Sequence, residues 1–84
     1  MSFSIRIKGS AAKELKRLDR AVRSRIASHI DRLAEHPYAG SALKGDLRGL
    51  RRLRVGEYRV VYEIQEEALV ILVVRIAHRR EAYR

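Results

Sequence analysis

The chain contains no cysteine and no tryptophan, and it has one proline and one phenylalanine. Without cysteine there is no disulfide framework and no thiolate for catalysis or metal binding. Nothing therefore marks the redox compartment, and a reducing cytoplasm is the default expectation. Acidic residues are also scarce: ten Asp and Glu face nineteen Lys and Arg, for a formal net charge of +9. An imbalance of that size points to nucleic acid, an anionic membrane surface or an acidic protein as partner. The longest apolar run, Ala68 to Val74, is far too short to cross a bilayer, and Met1 to Lys8 lacks the unbroken apolar core of a signal peptide. Both features predict a soluble protein with no membrane partner. His29, His36 and His78 are too scattered to hold zinc, and no group of ligating residues has metal-site spacing. At 84 residues the chain is expected to form one domain, residues 1–84, around a single modest core.

The densest cationic stretch is Leu50 to Ile64, LRRLRVGEYRVVYEI. Leu53 and Val55 alternate with Arg52 and Arg54, while Tyr58, Val60, Tyr62 and Ile64 alternate with Arg59, Val61 and Glu63. This is the pattern of two half-buried strands. With Gly56-Glu57 as a two-residue type II′ turn, Val55 pairs with Tyr58, Arg54 with Arg59 and Arg52 with Val61. Side chains alternate across a strand, so Arg52, Arg54 and Arg59 share one face, and Leu53, Val55, Tyr58 and Val60 share the other. Like charges directly opposite one another destabilise a sheet. A polyanionic ligand supplies a reason for the arrangement. Tyr58 and Tyr62 read as core aromatics, Glu57 as a turn residue and Glu63 as an ion-pairing neighbour.

Upstream, Phe3, Ile5 and Ile7 alternate with polar residues as a first strand, and Ser10 is the expected N-cap of a helix. Ala11, Leu15, Leu18, Val22, Ile26, Ile30 and Leu33 then recur at helical spacing. One helix over that stripe would be on the order of 35 Å long, so a helical hairpin broken near Asp19, with Asp19 capping the second helix, suits so small a domain better. Lys13, Lys16, Arg17, Arg20, Arg23 and Arg25 line its outer face. His36-Pro37 closes the helical region, since the residue before proline is pushed out of the α basin. Tyr38 to Gly49, with three of the five glycines, reads as a loop carrying Lys44 and Arg48. After a turn at Gln65-Glu66-Glu67, the run Leu69 to Ala77 is apolar on both faces, as a central strand is. If Glu66-Glu67 are the turn residues, parity places His78 on the face of Arg59. The fold expected is α+β: an N-terminal strand, a helical hairpin and a three-stranded antiparallel meander, forming a four-stranded sheet with helices on one face.

Two segments carry a family resemblance. They are LKGDL at 43–47 running into RLRVGEYRVVYE at 52–63, and the ending IAHRREAYR at 76–84. Together they resemble the RelE/ParE superfamily of toxin–antitoxin toxins, in motif the RelE branch, over nearly the whole chain. The resemblance implies a ribosome-dependent endoribonuclease that cuts messenger RNA in the ribosomal A site without a metal or organic cofactor. It also implies a cognate RelB-like antitoxin wrapped around the toxin, with a toxin–antitoxin heterotetramer as one assembly. By the same resemblance, Arg59 matches the arginine that contacts the scissile phosphate, and Arg52 and Arg54 match the basic residues of the preceding strand. Arg79 or Arg80 matches the arginine after the last strand, Tyr83 the C-terminal tyrosine, and His78 a basic position beside the site. Lys44 and Arg51 join the RNA-binding set. The chain departs from the best-known members in carrying arginines where they have hairpin lysines, and in ending just after Tyr83.

Metal-free RNA cleavage needs a base for the ribose 2′-OH, positive charge for the phosphate oxygens and an acid for the leaving oxygen. Arginine suits the second task, because its planar fork binds phosphate in bidentate fashion. It cannot be the base, since a guanidinium with pKa above about 12 has almost no neutral form. Tyr83 is the candidate base, with His78 or an arginine as acid. A ParE-like toxin that binds DNA gyrase without RNA chemistry is the alternative on the same scaffold.

Overall fold

The computed structural model describes residues 2–80. Strand β1 (Ser4–Ile7) leads directly into helix α1 (Gly9–Lys16) and then α2 (Arg20–Arg32). The short strand β2 (Ser41–Ala42) and a 3₁₀ turn (Gly45–Leu47) precede β3 (Leu50–Val55), β4 (Tyr58–Gln65) and β5 (Val70–His78). The sheet has five strands in the order β1-β5-β4-β3-β2. Only the β1–β5 pair is parallel.

The fifth strand corrects the four-stranded expectation. Ser41 and Ala42 pair with Arg52 and Arg51 from within the stretch read as a loop. Two residues are too few to show a period in the sequence, and the signal that places them lies elsewhere, in Gly40 and Tyr62. Gly40 is buried, and a Cβ there would stand 2.5 Å from the Arg52 carbonyl oxygen. The Tyr62 hydroxyl, fully buried, donates to Pro37 O at 2.7 Å and accepts from Gly40 N–H at 3.0 Å. One core phenol therefore fastens the chain after α2 against the sheet.

The helical stripe breaks where Asp19 caps α2, its Oδ1 accepting from Val22 N–H at 2.9 Å. Asp19→Ala is expected to cost about 1 kcal/mol of stability, read as a lower melting temperature. Ser10 does not cap α1. That helix begins at Gly9 with Lys8 as N-cap and no side-chain cap, because Lys8 is still held to β5 by its N–H to Val73 O at 2.9 Å, while its carbonyl already accepts from Ala12. No helix among the described residues is long and apolar enough to cross a membrane.

Ala11, Ile26, Ile30 and Leu33 pack against Val55, Val60, Tyr62, Ile71, Val73 and Ile76, with Leu15, Leu18 and Val22 half-buried at the margin. All the helical packing falls on one face of the sheet. Each buried aliphatic side chain contributes about 1.5–3 kcal/mol, against at most about 1 kcal/mol for an exposed ion pair. The stability of the fold thus comes from this layer, and the other sheet face is left for other uses.

At the far edge Tyr38, largely exposed, donates its hydroxyl to Glu66 and lies under the Arg51 guanidinium, 5.2 Å from the ring centre. The hydrogen bond to Glu66 holds the phenol's pKa above its ordinary value of 10.0. A raised folded-state pKa means that this tie is fully present below the unfolded pKa and is lost as pH climbs through the folded one. A phenolate absorbance titration should show Tyr38 ionising above the ordinary value, and Glu66→Gln should bring it back toward that value.

Candidate nucleic-acid interface

The hairpin register is the one its turn dictates. Gly56 has φ +59° and Glu57 does not have positive φ, as a type II′ turn requires. Val55 pairs with Tyr58, Arg54 with Arg59 and Arg52 with Val61. The pairing continues into β5, giving two rows across three strands, Arg54–Arg59–Ala77 and Arg52–Val61–Arg75. Direct partners share a face, and since Val55, Val60 and Ile76 are in the core, these rows face away from the helices. Arg52 and Arg59 are half-buried and Arg54 is exposed. The three guanidiniums expected together are therefore together.

Beside them the sheet is grooved. A cavity of about 560 Å³ is lined by the apolar Leu47, Leu50, Val61 and Val74 and the charged Lys8, Lys44, Arg75 and Asp46. Lys44 thus joins the arginine face from the 3₁₀ turn. Lys8 and Arg75 were not anticipated as site residues. Arg75 interrupts the apolar run of β5, which was a visible signal, but its face could not be read. It leans toward α1, with Nε 3.8 Å from Glu14 Oε2, while Glu14 Oε1 accepts from Ile76 N–H at 2.8 Å. That carboxylate satisfies the edge of β5 where β1 has ended.

His78 does not lie where parity placed it. The turn spans Glu66 to Leu69, with Leu69 at φ +55°, and so has an even number of residues, as the expected two-residue turn did. The reversal comes from a bulge: Val61 pairs with Arg75 but Tyr62 with Val73, so Val74 is an extra residue. Every later side chain changes face, and His78 pairs with Tyr58 instead of sharing the side of Arg59. Its ring meets Tyr58 edge-on at 5.4 Å, in a small cavity with Glu14, Arg17 and Leu18. Its Nδ1 accepts from Arg80 N–H at 3.3 Å.

Arg51 is also off the arginine face. It pairs with Tyr62 on the helix side, and its Nη2 donates to the carbonyls of Gly40 and Tyr38. Arg79, just past β5, donates its N–H to Glu57 O at 2.7 Å, and its Nε is 2.8 Å from Glu57 Oε2. Glu57 is thus a turn residue that also pairs. Glu63, expected to form an ion pair, accepts instead from Gln65 Nε2 at 2.7 Å. Arg80 is exposed beyond the strand. Tyr83 lies outside the described residues. Among the described residues no three His, Asp or Glu side chains cluster as metal ligands would.

The helices thus cover one face of the sheet, and Arg52, Arg54 and Arg59 make the other strongly positive. Residues 5–83 match the family of the ParE toxin of type II toxin–antitoxin systems, parDE. Toxin RelE of Mycobacterium tuberculosis is 32% identical over 84 residues, covering 98% of this chain and 87% of that protein. Two solved structures share the fold. One is the RelBE2 toxin–antitoxin complex of M. tuberculosis, with TM-score 0.88 and 24% identity over 93% of this chain and 99% of that one. The other is the archaeal RelE–RelB complex of Pyrococcus horikoshii, with TM-score 0.78 and 28% identity over 98% of this chain and 100% of that one. The chain belongs to the RelE/ParE superfamily of type II toxins.

Proposed function

We propose that this toxin is a ribosome-dependent messenger RNA endoribonuclease, its arginine face holding the scissile phosphate in the A site. The observation that carries the reading is the direct cross-strand pairing of Arg54 with Arg59, flanked by Arg52, on the sheet face opposite the helices. In the reaction the ribose 2′-oxygen bonds to phosphorus as the P–O5′ bond breaks, leaving a 2′,3′-cyclic phosphate and a 5′-OH. Arg59, Arg54 and Arg52 stabilise the charge on the phosphate oxygens. The 2′-OH proton passes to the phenolate of Tyr83, a form available near neutral pH only where neighbouring guanidiniums lower the phenol's pKa. With His78 turned to the Tyr58 side, the acid role passes to an arginine, which can protonate an alkoxide because an alcohol is a weaker acid still. Lys44 and the groove beside it position the strand, and positioning on the ribosome supplies much of the rate. Arg51, on the helix side, is a structural clamp.

The partner is a cognate antitoxin whose acidic residues offset part of the positive charge, covering the basic face with an amphipathic helix or an added strand. The structural relatives solved as RelE–RelB complexes support this. The displacement of His78 favours a second reading, a gyrase-binding toxin with no RNA chemistry, for which the face is a docking surface alone. Purified protein in cell-free translation separates the two. Messenger cut on the ribosome supports the first, and intact messenger together with inhibited supercoiling by gyrase supports the second.

A further inference from the structure

We propose that in the free protein the Glu57 carboxylate occupies the phosphate-binding fork of Arg79, so that RNA must displace Glu57 to engage Arg79, and that Glu57 thereby sets the affinity of the cationic face. The proposal rests on the reading of that face as an RNA site. Glu57 sits at the tip of the β3–β4 turn, and Arg79 is the first residue past β5. The Arg79 N–H to Glu57 O bond of 2.7 Å extends the sheet by one rung and fixes the two side chains side by side. Between them Nε and Oε2 are 2.8 Å apart, within charge-assisted range. Alternation places Arg79 on the side of Ala77, whose direct partner is Arg59. The guanidinium next in line to extend the phosphate site is therefore already held by an anion of the protein's own.

A carboxylate and a phosphate offer the same pair of oxygens to a guanidinium, so they compete for one fork. The carboxylate is the weaker competitor here. Both side chains are more than half exposed, at 56% and 59%, and an ion pair so open to water is worth at most about fivefold in a binding constant. Phosphate displaces it, and the affinity of the free toxin is lower by that factor. Glu14 is engaged with Arg75 and Glu63 with Gln65, so neither plays this part.

The test is anisotropy of a labelled, 2′-O-methylated single-stranded RNA, which binds without being cut, titrated with wild type, Glu57→Gln, Arg79→Gln and the double variant at one salt concentration. Glu57→Gln should tighten binding by about three- to fivefold. The gain should vanish in the Arg79→Gln background, and Glu67→Gln, in the distant β4–β5 turn, should change affinity by less than about twofold. A gain of equal size without Arg79 would overturn the proposal, showing a bulk charge effect. So would weaker binding by Glu57→Gln, which would mean that the carboxylate holds Arg79 in place for RNA. Wild type that binds while Glu57→Gln matches it, or wild type with no affinity for free RNA, removes this proposal alone, whereas messenger left intact on stalled ribosomes removes the RNA reading and this with it. Thermal melts of the same preparations establish that the gain is read from folded protein.

Discussion

Replacing Arg59 with alanine is expected to lower the rate of messenger cleavage on programmed ribosomes by about 10²–10³-fold, the loss seen when one preorganised donor to a developing oxyanion is removed. The expectation follows from its place in the middle strand of three, where β4 is fixed by β3 on one side and β5 on the other. A guanidinium rooted there has little freedom to miss the phosphate. Stability should move by about 1 kcal/mol or less, because the residue lies off the core and its removal relieves the opposition of two like charges across the strands. Arg59→Lys should fall between the two, keeping the charge but losing the bidentate fork. Single-turnover cleavage rates beside thermal melts of the same preparations check this: a lost rate with an unchanged melt is the expected pair.

Gly40→Ala is expected to be the most damaging conservative change in the fold. The new Cβ would lie 2.5 Å from the Arg52 carbonyl oxygen, 2.9 Å from its carbon and 2.8 Å from the Tyr62 hydroxyl. None of these is the loose end of a flexible side chain. The backbone of β3 is locked by its ladder to β4, and the phenol is held between Pro37 O and Gly40 N–H. Relief requires either pulling β2 from β3 or breaking a buried hydrogen-bond pair. Overpacking together with an unsatisfied buried group comes to about 3 kcal/mol, a fall of about 10–20 °C in melting temperature for a domain of this size. Gly9→Ala is the control. Its Cβ would meet nothing within 4 Å, so it should melt at or slightly above wild type. Because the clash moves Arg52, Gly40→Ala should also weaken RNA binding at temperatures where it stays folded.

Legibility in the sequence tracks physical range. The arginine face was readable because it depends on one turn: Gly56 fixes the hairpin register, and register fixes which side chains share a face. The break at Asp19 was readable for the same reason, since a cap acts within three residues. His78 was not. Its face depends on every pairing along β5, and one extra residue at Val74, in a run of valines with no mark of its own, reverses it. β2 was missed because two residues cannot show a period, and the contact that makes it, Tyr62 with Gly40, joins positions 22 residues apart. Arg51 entered the RNA-binding set with the family resemblance, although its alternation with Arg52 already placed it on the opposite face.

The central claim is that this arginine face serves phosphate chemistry on the ribosome. Its most direct test is end analysis of labelled messenger incubated with purified toxin, with and without ribosomes stalled at a known codon. The account predicts cuts confined to the A-site codon, only when ribosomes are present, leaving a 2′,3′-cyclic phosphate upstream and a 5′-OH downstream. Messenger that stays intact on the stalled ribosome, from protein shown to be folded, would contradict it.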